Sequence, residues 1–409
     1  MDILVDDPSY TTFLQEYLLP NRPVLIRSGR VTGWPASTRW TAPTADGLEP
    51  HPDEERRADL AGLVQLYGHL EVPVVKQRIT VPRNTSGDRL QSARRISGQE
   101  NDCMPFTDVA NCWQKKLRDP PRPREQQDDG QVAVDEEELI YLKDWHLMRI
   151  CEQKNGPKDR DEETGRYVQN DADLFYQVPE IFSDDWMNDY YSAETDDDFR
   201  FVYIGERGTM TELHTDVYNS YSWSANIVGR KGWRMFSPDS TEILDFEQGP
   251  GEIIFVWCNS VNLPSVYDAL AKDVEQVKTS IADVKDLLKK KWDSKRRVSP
   301  TSQENHTGTG WELEWIEVVQ ELTKQHSGWN SWMTFWKMVR YIVRRDLKQG
   351  SSTPWPSSQA IRPCSPPAEF VKTQINTCVC KFKTRHEFQL DSTLQLIILE
   401  IEPCLSTFS

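Results

Sequence analysis

Thr211-Glu212-Leu213-His214-Thr215-Asp216 is the stretch on which the reading of this 409-residue chain turns, set between two strand-like runs and followed by Gly229-Arg230-Lys231. On an extended segment side chains alternate with period two, so His214 and Asp216 point to the same side and can reach one metal ion. An imidazole and a carboxylate so placed are two thirds of a 2-His-1-carboxylate triad, which covers one face of the octahedron around non-haem Fe(II) and leaves the other positions open. The third ligand has to come from elsewhere. Thr211 and Lys231 add a hydroxyl and an ammonium, the groups that would hold the far carboxylate of a dicarboxylic co-substrate by charge-assisted hydrogen bonds. The same residues also fit an ordinary strand pair in which His214 and Asp216 are a satisfied polar couple, and residue chemistry alone does not separate the two readings.

The flanking runs read as strands. From Tyr221 to Ile227, Tyr221, Trp223, Ala225 and Ile227 face one way and Ser222, Ser224 and Asn226 the other, which gives a core face and a cavity face. Trp233 to Phe236 and Glu252 to Val256 are further strands, and Glu138 to Trp145 is an apolar strand carrying Tyr141. His146, at the end of that strand and outside the motif, reads as structural. Many strands, no alternation of strand with helix, and a metal pair on one strand indicate a double-sheet jelly roll.

Together, Phe199 to Gly205, Thr211 to Asp216, Ser220 to Asn226, Gly229 to Trp233 and Gly249 to Val256 resemble the JmjC (jumonji C) oxygenases, with the likeness running from about Ser9 to Leu288 with gaps. The resemblance implies a mainly β fold with α, built on a double-stranded β-helix (jelly-roll, cupin-like) core. It implies Fe(II) held by His214 and Asp216, with 2-oxoglutarate and O2 as co-substrates. Lys231 and Thr211 would hold the distal carboxylate of 2-oxoglutarate, with Tyr141 as a third contact; a buried tyrosine with a satisfied hydroxyl explains Tyr141 equally well. The activity implied is protein hydroxylation, and the likeness is strongest to members that hydroxylate a lysine of a translation termination factor, so a protein of that kind is the expected partner. Histone demethylases belong to the same family, but no chromatin-reader zinc cluster stands beside this core.

The resemblance breaks after Val256. In the family this strand runs into a Pro-Ser-Gly-Trp-His-His segment whose histidine is the third iron ligand, whereas here Trp257-Cys258-Asn259 follows at once. The expected segment is absent, and with it the distal histidine and about two strands of the roll; the link from Pro238 to Gly249 is short as well. None of His51, His69, His146, His306, His326 or His386 stands at the required place. An abrupt join of this kind fits a skipped exon; it also fits a natural isoform or a catalytically dead scaffold.

Composition limits the alternatives. With 37% hydrophobic and 27% charged residues the chain can bury a real core. A net charge of −16 argues against nucleic acid as the main partner and for a basic protein segment. Eight cysteines at scattered positions make neither a secreted framework nor a zinc pattern and read as reduced thiols. The first residues lack the features of a signal peptide and no apolar run approaches a membrane span, so a cytoplasmic or nuclear protein is expected.

The chain divides into five parts. Residues 1–79 hold a helix over Tyr10 to Leu19, a strand over Arg22 to Arg27 at the edge of the main sheet, a helix over Leu60 to Leu70, and a strand at Val72 whose Pro73 confines it to an edge or a strand end. In 80–130, Thr80 to Asp102 and Pro120 to Gly130 lose apolar periodicity and read as solvated insertions around a short helical piece, with the basic run Arg89 to Arg95 in an exposed loop. The core occupies 131–257; within it Lys154 to Asp173 is a charged loop and Ile181 to Tyr191 a short helix. Residues 258–350 are helical. There Val266, Leu270, Val274, Val277, Ile281, Val284 and Leu288 form the stripe of one amphipathic helix over 264–291, which should pack on the roll or on a partner and could serve as a dimer seam. Trp311 to Leu322 and Trp332 to Val343 continue the pattern, with tryptophans that read as core. Finally, 351–409 comprises a Ser/Pro-rich linker and a weakly patterned tail.

Overall fold

Ile253-Ile254-Phe255 is apolar at consecutive positions, a pattern that suits a strand covered on both faces. The computed structural model describes residues 1–42, 57–83, 93–119, 134–154, 175–195, 197–238, 242–258, 262–298, 310–327, 331–346 and 366–406, and places this run at the centre of a β core. The described strands are β1 (Asp2–Leu4), β2 (Val24–Ile26), β3 (Glu71–Pro82), β4 (Arg95–Pro105), β5 (Val134–Trp145), β6 (Val202–Gly205), β7 (Trp223–Ala225), β8 (Lys231–Phe236), β9 (Ile243–Gln248) and β10 (Ile253–Phe255). They form one sheet of order β1-β2-β10-β7, a second of order β4-β3-β5-β6, and the β8-β9 hairpin.

Both faces of β10 are occupied. Ile253 and Phe255, with Val24 and Ile26 of β2, pack on Phe13, Trp34 and Phe182, and the Phe182 ring stacks on Trp223 at 5.0 Å. On the opposite face Ile254, Leu25 and Val256 meet Met235, Trp233, Leu244 and Phe246 of the hairpin, which lies over the sheet as a second layer. The second sheet is covered by the Leu60–Tyr67 and Phe106–Arg118 helices through Val72, Val74, Leu142, Trp145, Phe106 and Trp113. Everything described after residue 262 is helical, so strands are confined to the first part of the chain and helices hold more of the described residues overall. A β-rich core with added helices is therefore the architecture.

Several sequence expectations change. β2 is interior, not an edge, because Asp2–Leu4 adds to it in parallel. Thr80 to Asp102 is not simply an insertion: Thr80 to Pro82 end β3, and Arg95 onward forms β4, paired with β3 in antiparallel register. Apolar periodicity vanishes there because β4 is an edge strand exposed along most of its length. Arg94 is not in an exposed loop; it ion-pairs with Glu137 at 2.9 Å and donates to the Gly208 carbonyl. Pro73 stands near the start of β3, the strand-end position expected of it, outside the β5 register that begins at Val74, so its missing N–H costs no bond on that side. Residues 84–92, Pro120 to Gly130, 155–173 and 351–365 lie outside the described residues.

The long helix expected over 264–291 is two, Leu263–Ser280 and Ala282–Val298, broken at Ile281 (φ −119°, ψ 28°). Leu270, Val274 and Val277 of its stripe are buried within the chain against Trp315, Val319, Trp332 and Trp336. The tail is not weakly organised: Ala368–Lys383 and Ser392–Ser406 are helices that bury Ile375, Cys378, Phe382, Leu394, Ile397 and Ile401 in the same cluster. None of the seven described cysteines is in a disulfide. No described helix is long and apolar enough to cross a membrane.

Candidate metal and co-substrate site

Thr211 to Asp216 follows β6 but forms no strand, contrary to the expectation of an extended, paired segment. Among the described residues it has no neighbouring strand to pair with, since β8 pairs only with β9 and β6 only with β5. His214 and Asp216 nevertheless meet, with Nε2 3.6 Å from Oδ1. The His214 Nδ1–H donates to the Glu212 carbonyl at 2.7 Å, which leaves Nε2 facing the carboxylate. Ser222 donates from Oγ to Asp216 Oδ2 at 2.5 Å, as its place on the cavity face of the β7 run suggested. Burial opposes the charge of Asp216, but hydrogen bonds from His214 and Ser222 and the nearby Lys231 hold its carboxyl below the ordinary range. The hydrogen bond to Asp216 in turn raises the imidazole, against the effect of its own partial burial. Just beyond, Tyr218 and Asn219 take positive φ (67° and 54°), and the buried Tyr218 ring packs edge-on to Phe199. The segment is thus tied down at its exit.

The co-substrate side stands on paired strands. Tyr141 on β5 lies opposite Gly205 of β6, and its hydroxyl hydrogen-bonds Thr211. A Cβ at Gly205 would stand 2.3 Å from Thr209 Oγ1 and 3.0 Å from the Tyr141 ring, so a larger residue would have to displace Thr209 and press on that ring. Asn226 donates to the carbonyls of Gly229 and Gln248 and shapes the turn into β8, where Gly229 has φ 69°. Lys231, first residue of β8, follows. Its Nζ is 3.9 Å from the Trp233 ring centroid and 5.7 Å from that of Tyr203, and among the described residues it makes no ion pair. Burial pushes its ammonium down to about 8 while Asp216 pulls the other way. Tyr203 donates to Asp144 Oδ1 at 2.7 Å, across an irregularity in the β5–β6 register where Asp144 itself has φ 58°.

Thr211, His214, Asp216, Lys231 and Tyr141 therefore line one cavity, of about 3930 Å³. That is several times the roughly 300–1,000 Å³ of a small-molecule site. Sequence reading missed Tyr203, Trp233 as a partner of Lys231, Asp144 and Gln248. Only Trp233 left a usable signal, since residues two apart on a strand share a face.

Donors about 2.1 Å from one ion at a right angle stand about 3 Å apart, so the His214–Asp216 pair suits two adjacent corners of an iron site. The half-buried Lys231 cation and the Tyr141–Thr211 hydroxyls suit the far carboxylate of 2-oxoglutarate. The third corner is open: among the described residues His214 is the sole histidine lining the cavity, and no third ligating side chain completes a set with it and Asp216. His146, Asp197 and Asp198 do lie close enough to share an ion. His146 and Arg200 already occupy the buried Asp198 carboxylate, however, with His146 Nδ1 at 2.5 Å from Oδ1 and Arg200 Nε at 2.8 Å from Oδ2.

Residues 10–308 match the cupin-like domain family. The chain belongs to that family. Within it, this cupin chain is 27% identical over 332 residues to the mouse 2-oxoglutarate and iron-dependent oxygenase JMJD4, covering 68% of this chain and 65% of the mouse protein. It is 29% identical to the human JMJD4 oxygenase over 59% of this chain and 44% of that protein. An Arabidopsis thaliana relative, arginine-specific demethylase JMJ20, is 27% identical over 68% of this chain and 61% of its own length. The chain thus spans less than two thirds of each of these relatives. The likeness to JmjC oxygenases, and among them to JMJD4, is the one the motifs implied.

Proposed function

We propose that this cupin chain is an Fe(II)- and 2-oxoglutarate-dependent protein hydroxylase, with lysyl hydroxylation of a translation termination factor or a similar protein as its reaction. The observation that carries the reading is the convergence of the half-buried ammonium of Lys231, which makes no ion pair among the described residues, with the His214–Asp216 pair in one cavity. The similarity to JMJD4 oxygenases supports it. Iron and the keto acid, when bound, supply the oxidising chemistry, using O2 and releasing succinate and CO2. The chain's part is placement: His214 and Asp216 present two donors, Ser222 fixes the carboxylate, and Lys231 with Thr211 and Tyr141 holds the distal carboxylate of 2-oxoglutarate. A mixture of Fe(II), 2-oxoglutarate, the termination factor and a chain that carries a family-like segment after Val256 should release succinate and add one oxygen to a lysine, whereas the 409-residue chain should not turn over. Succinate release without modification of that protein would remove the substrate assignment, and a loss of 2-oxoglutarate binding in neither Lys231→Ala nor Asp216→Ala would remove the site.

A second reading, a non-catalytic scaffold, is favoured by one observation, the open third corner. We propose that the corner is open because two strands are missing after Val256. The two four-stranded sheets end at β6 and β7, the hairpin ends at β8, and all three strands line the oversized cavity. Their outer edges are unpaired among the described residues, and such edges recruit other chains. The 409-residue chain should therefore aggregate more readily than one with a family-like segment after Val256. Sequencing the transcript across Val256 separates a skipped exon from a true scaffold: a message with no histidine codon there gives the scaffold reading the lead.

A further inference from the structure

Lys231 and Trp233 are two residues apart on β8 and so project from the same face. The ammonium rests on the indole, 3.9 Å from its centroid. A carboxylate at that station would neutralise the lysine, whereas a ring face stabilises the cation without cancelling its charge and leaves it free for an incoming anion. What holds the indole is Gln248, the last residue of β9, which pairs with Lys231 across the hairpin. Gln248 is 0% exposed. Its Oε1 accepts the Trp233 Nε1–H at 3.0 Å, while its Nε2 donates to the carbonyls of Ser224 and Glu252, both at 2.8 Å. The amide orientation is fixed, because a flip would set its N–H groups against the indole N–H and its oxygen against the carbonyl oxygens of Ser224 and Glu252. The Phe246 ring lies parallel to the indole, at 6.3 Å and 7°.

We infer that Gln248 is a positioning residue for the co-substrate: anchored on the first sheet by its amide N–H groups, it fixes the Trp233 ring beneath Lys231 and so aims the ammonium into the cavity. The inference rests on the reading of Lys231 as the carboxylate anchor. It also explains why a fully buried amide sits in the otherwise apolar seam between hairpin and sheet.

The test uses the full chain with 13C-labelled lysine. In the wild type the Lys231 side-chain methylenes should show an upfield ring-current shift from Trp233. Gln248→Met, which keeps the volume and loses the hydrogen bonds, should collapse that shift. Both Gln248→Met and Trp233→Phe should weaken 2-oxoglutarate binding, measured by calorimetry with Mn(II), by about three- to tenfold, the worth of one hydrogen bond. The double variant should be no weaker than either single one. A purely structural Gln248 would lower the melting temperature and leave the ring-current shift in place, and that result, or additive losses in the double variant, overturns the inference. Lys231→Ala separates the two layers. If it leaves 2-oxoglutarate binding unchanged, the anchor reading falls, while the ring-current result still decides whether Gln248 sets the position of Lys231.

Discussion

The two halves of the candidate site are built differently. Lys231, Tyr141 and Thr211 stand on or against paired strands, with a glycine contact, a buried amide and stacked rings fixing them. His214 and Asp216 stand on irregular chain, held by one carbonyl, one serine and the anchored turn after them, and His214 is 59% exposed. The difference teaches that a site inherits its rigidity from the neighbours of its backbone. Where β5, β6, β8 and β9 pair, the co-substrate half is preorganised; where, among the described residues, no strand lies beside 211–216, the metal half is two donors without a third.

This contrast can be broken residue by residue. Asp216→Ala should have the largest effect, weakening Mn(II) or Fe(II) binding at least about 100-fold, since even outer partners of metal ligands cost 10–100-fold. Retained metal affinity would mean that the pair is an ordinary polar couple. Lys231→Ala should cost about 3 kcal/mol of 2-oxoglutarate binding, roughly 100-fold, with metal affinity little changed, because it removes a charge-assisted contact in a low-dielectric wall. Equal losses of metal and 2-oxoglutarate would show that the halves are not separable. Ser222→Ala should weaken metal binding about tenfold by freeing the Asp216 carboxylate, and should leave 2-oxoglutarate contacts intact.

The smallest effect expected is that of pH on the co-substrate half. The Lys231 ammonium titrates near 8 in the folded chain, below an ordinary lysine, and only its charged form binds a carboxylate. Between pH 7 and 8.5, 2-oxoglutarate affinity should therefore fall about fourfold. The ligand-free chain should respond oppositely: from pH 8 to about 10.4 the unfolded state binds more protons, so this group's contribution to stability rises with pH. A flat affinity profile would place the ammonium in a wetter, unshifted environment.

What the sequence made legible follows the same division. The alternation through Tyr221 to Ile227 put Ser222 on a cavity face, where it meets Asp216, and Glu252 to Val256 read as a strand, of which Ile253–Phe255 is paired. The stripe from Val266 to Leu288 marked a buried face but not the break at Ile281, since a stripe of that spacing continues across a change of axis. β4 and β9 were illegible because edge and hairpin strands such as Ile243–Gln248 carry polar residues on one exposed face. Gln248 was invisible for another reason: a buried amide is defined by its three partners, which come from β7, β8 and the residue before β10. A strand over residues 211–216 was expected from the motif, yet a strand needs a paired neighbour that local sequence does not supply.

The most direct test of this account is an anaerobic Fe(II) titration of the chain as it stands, beside one carrying a histidine-bearing, JmjC-type segment between Val256 and Trp257. The longer chain should bind Fe(II) at least tenfold more tightly, by about 1.4 kcal/mol or more for the added donor, and should release succinate, while the affinity of the Lys231 side for 2-oxoglutarate changes little. Equal Fe(II) affinity and equal turnover in the two chains would contradict the claim that His214 and Asp216 are an incomplete metal site.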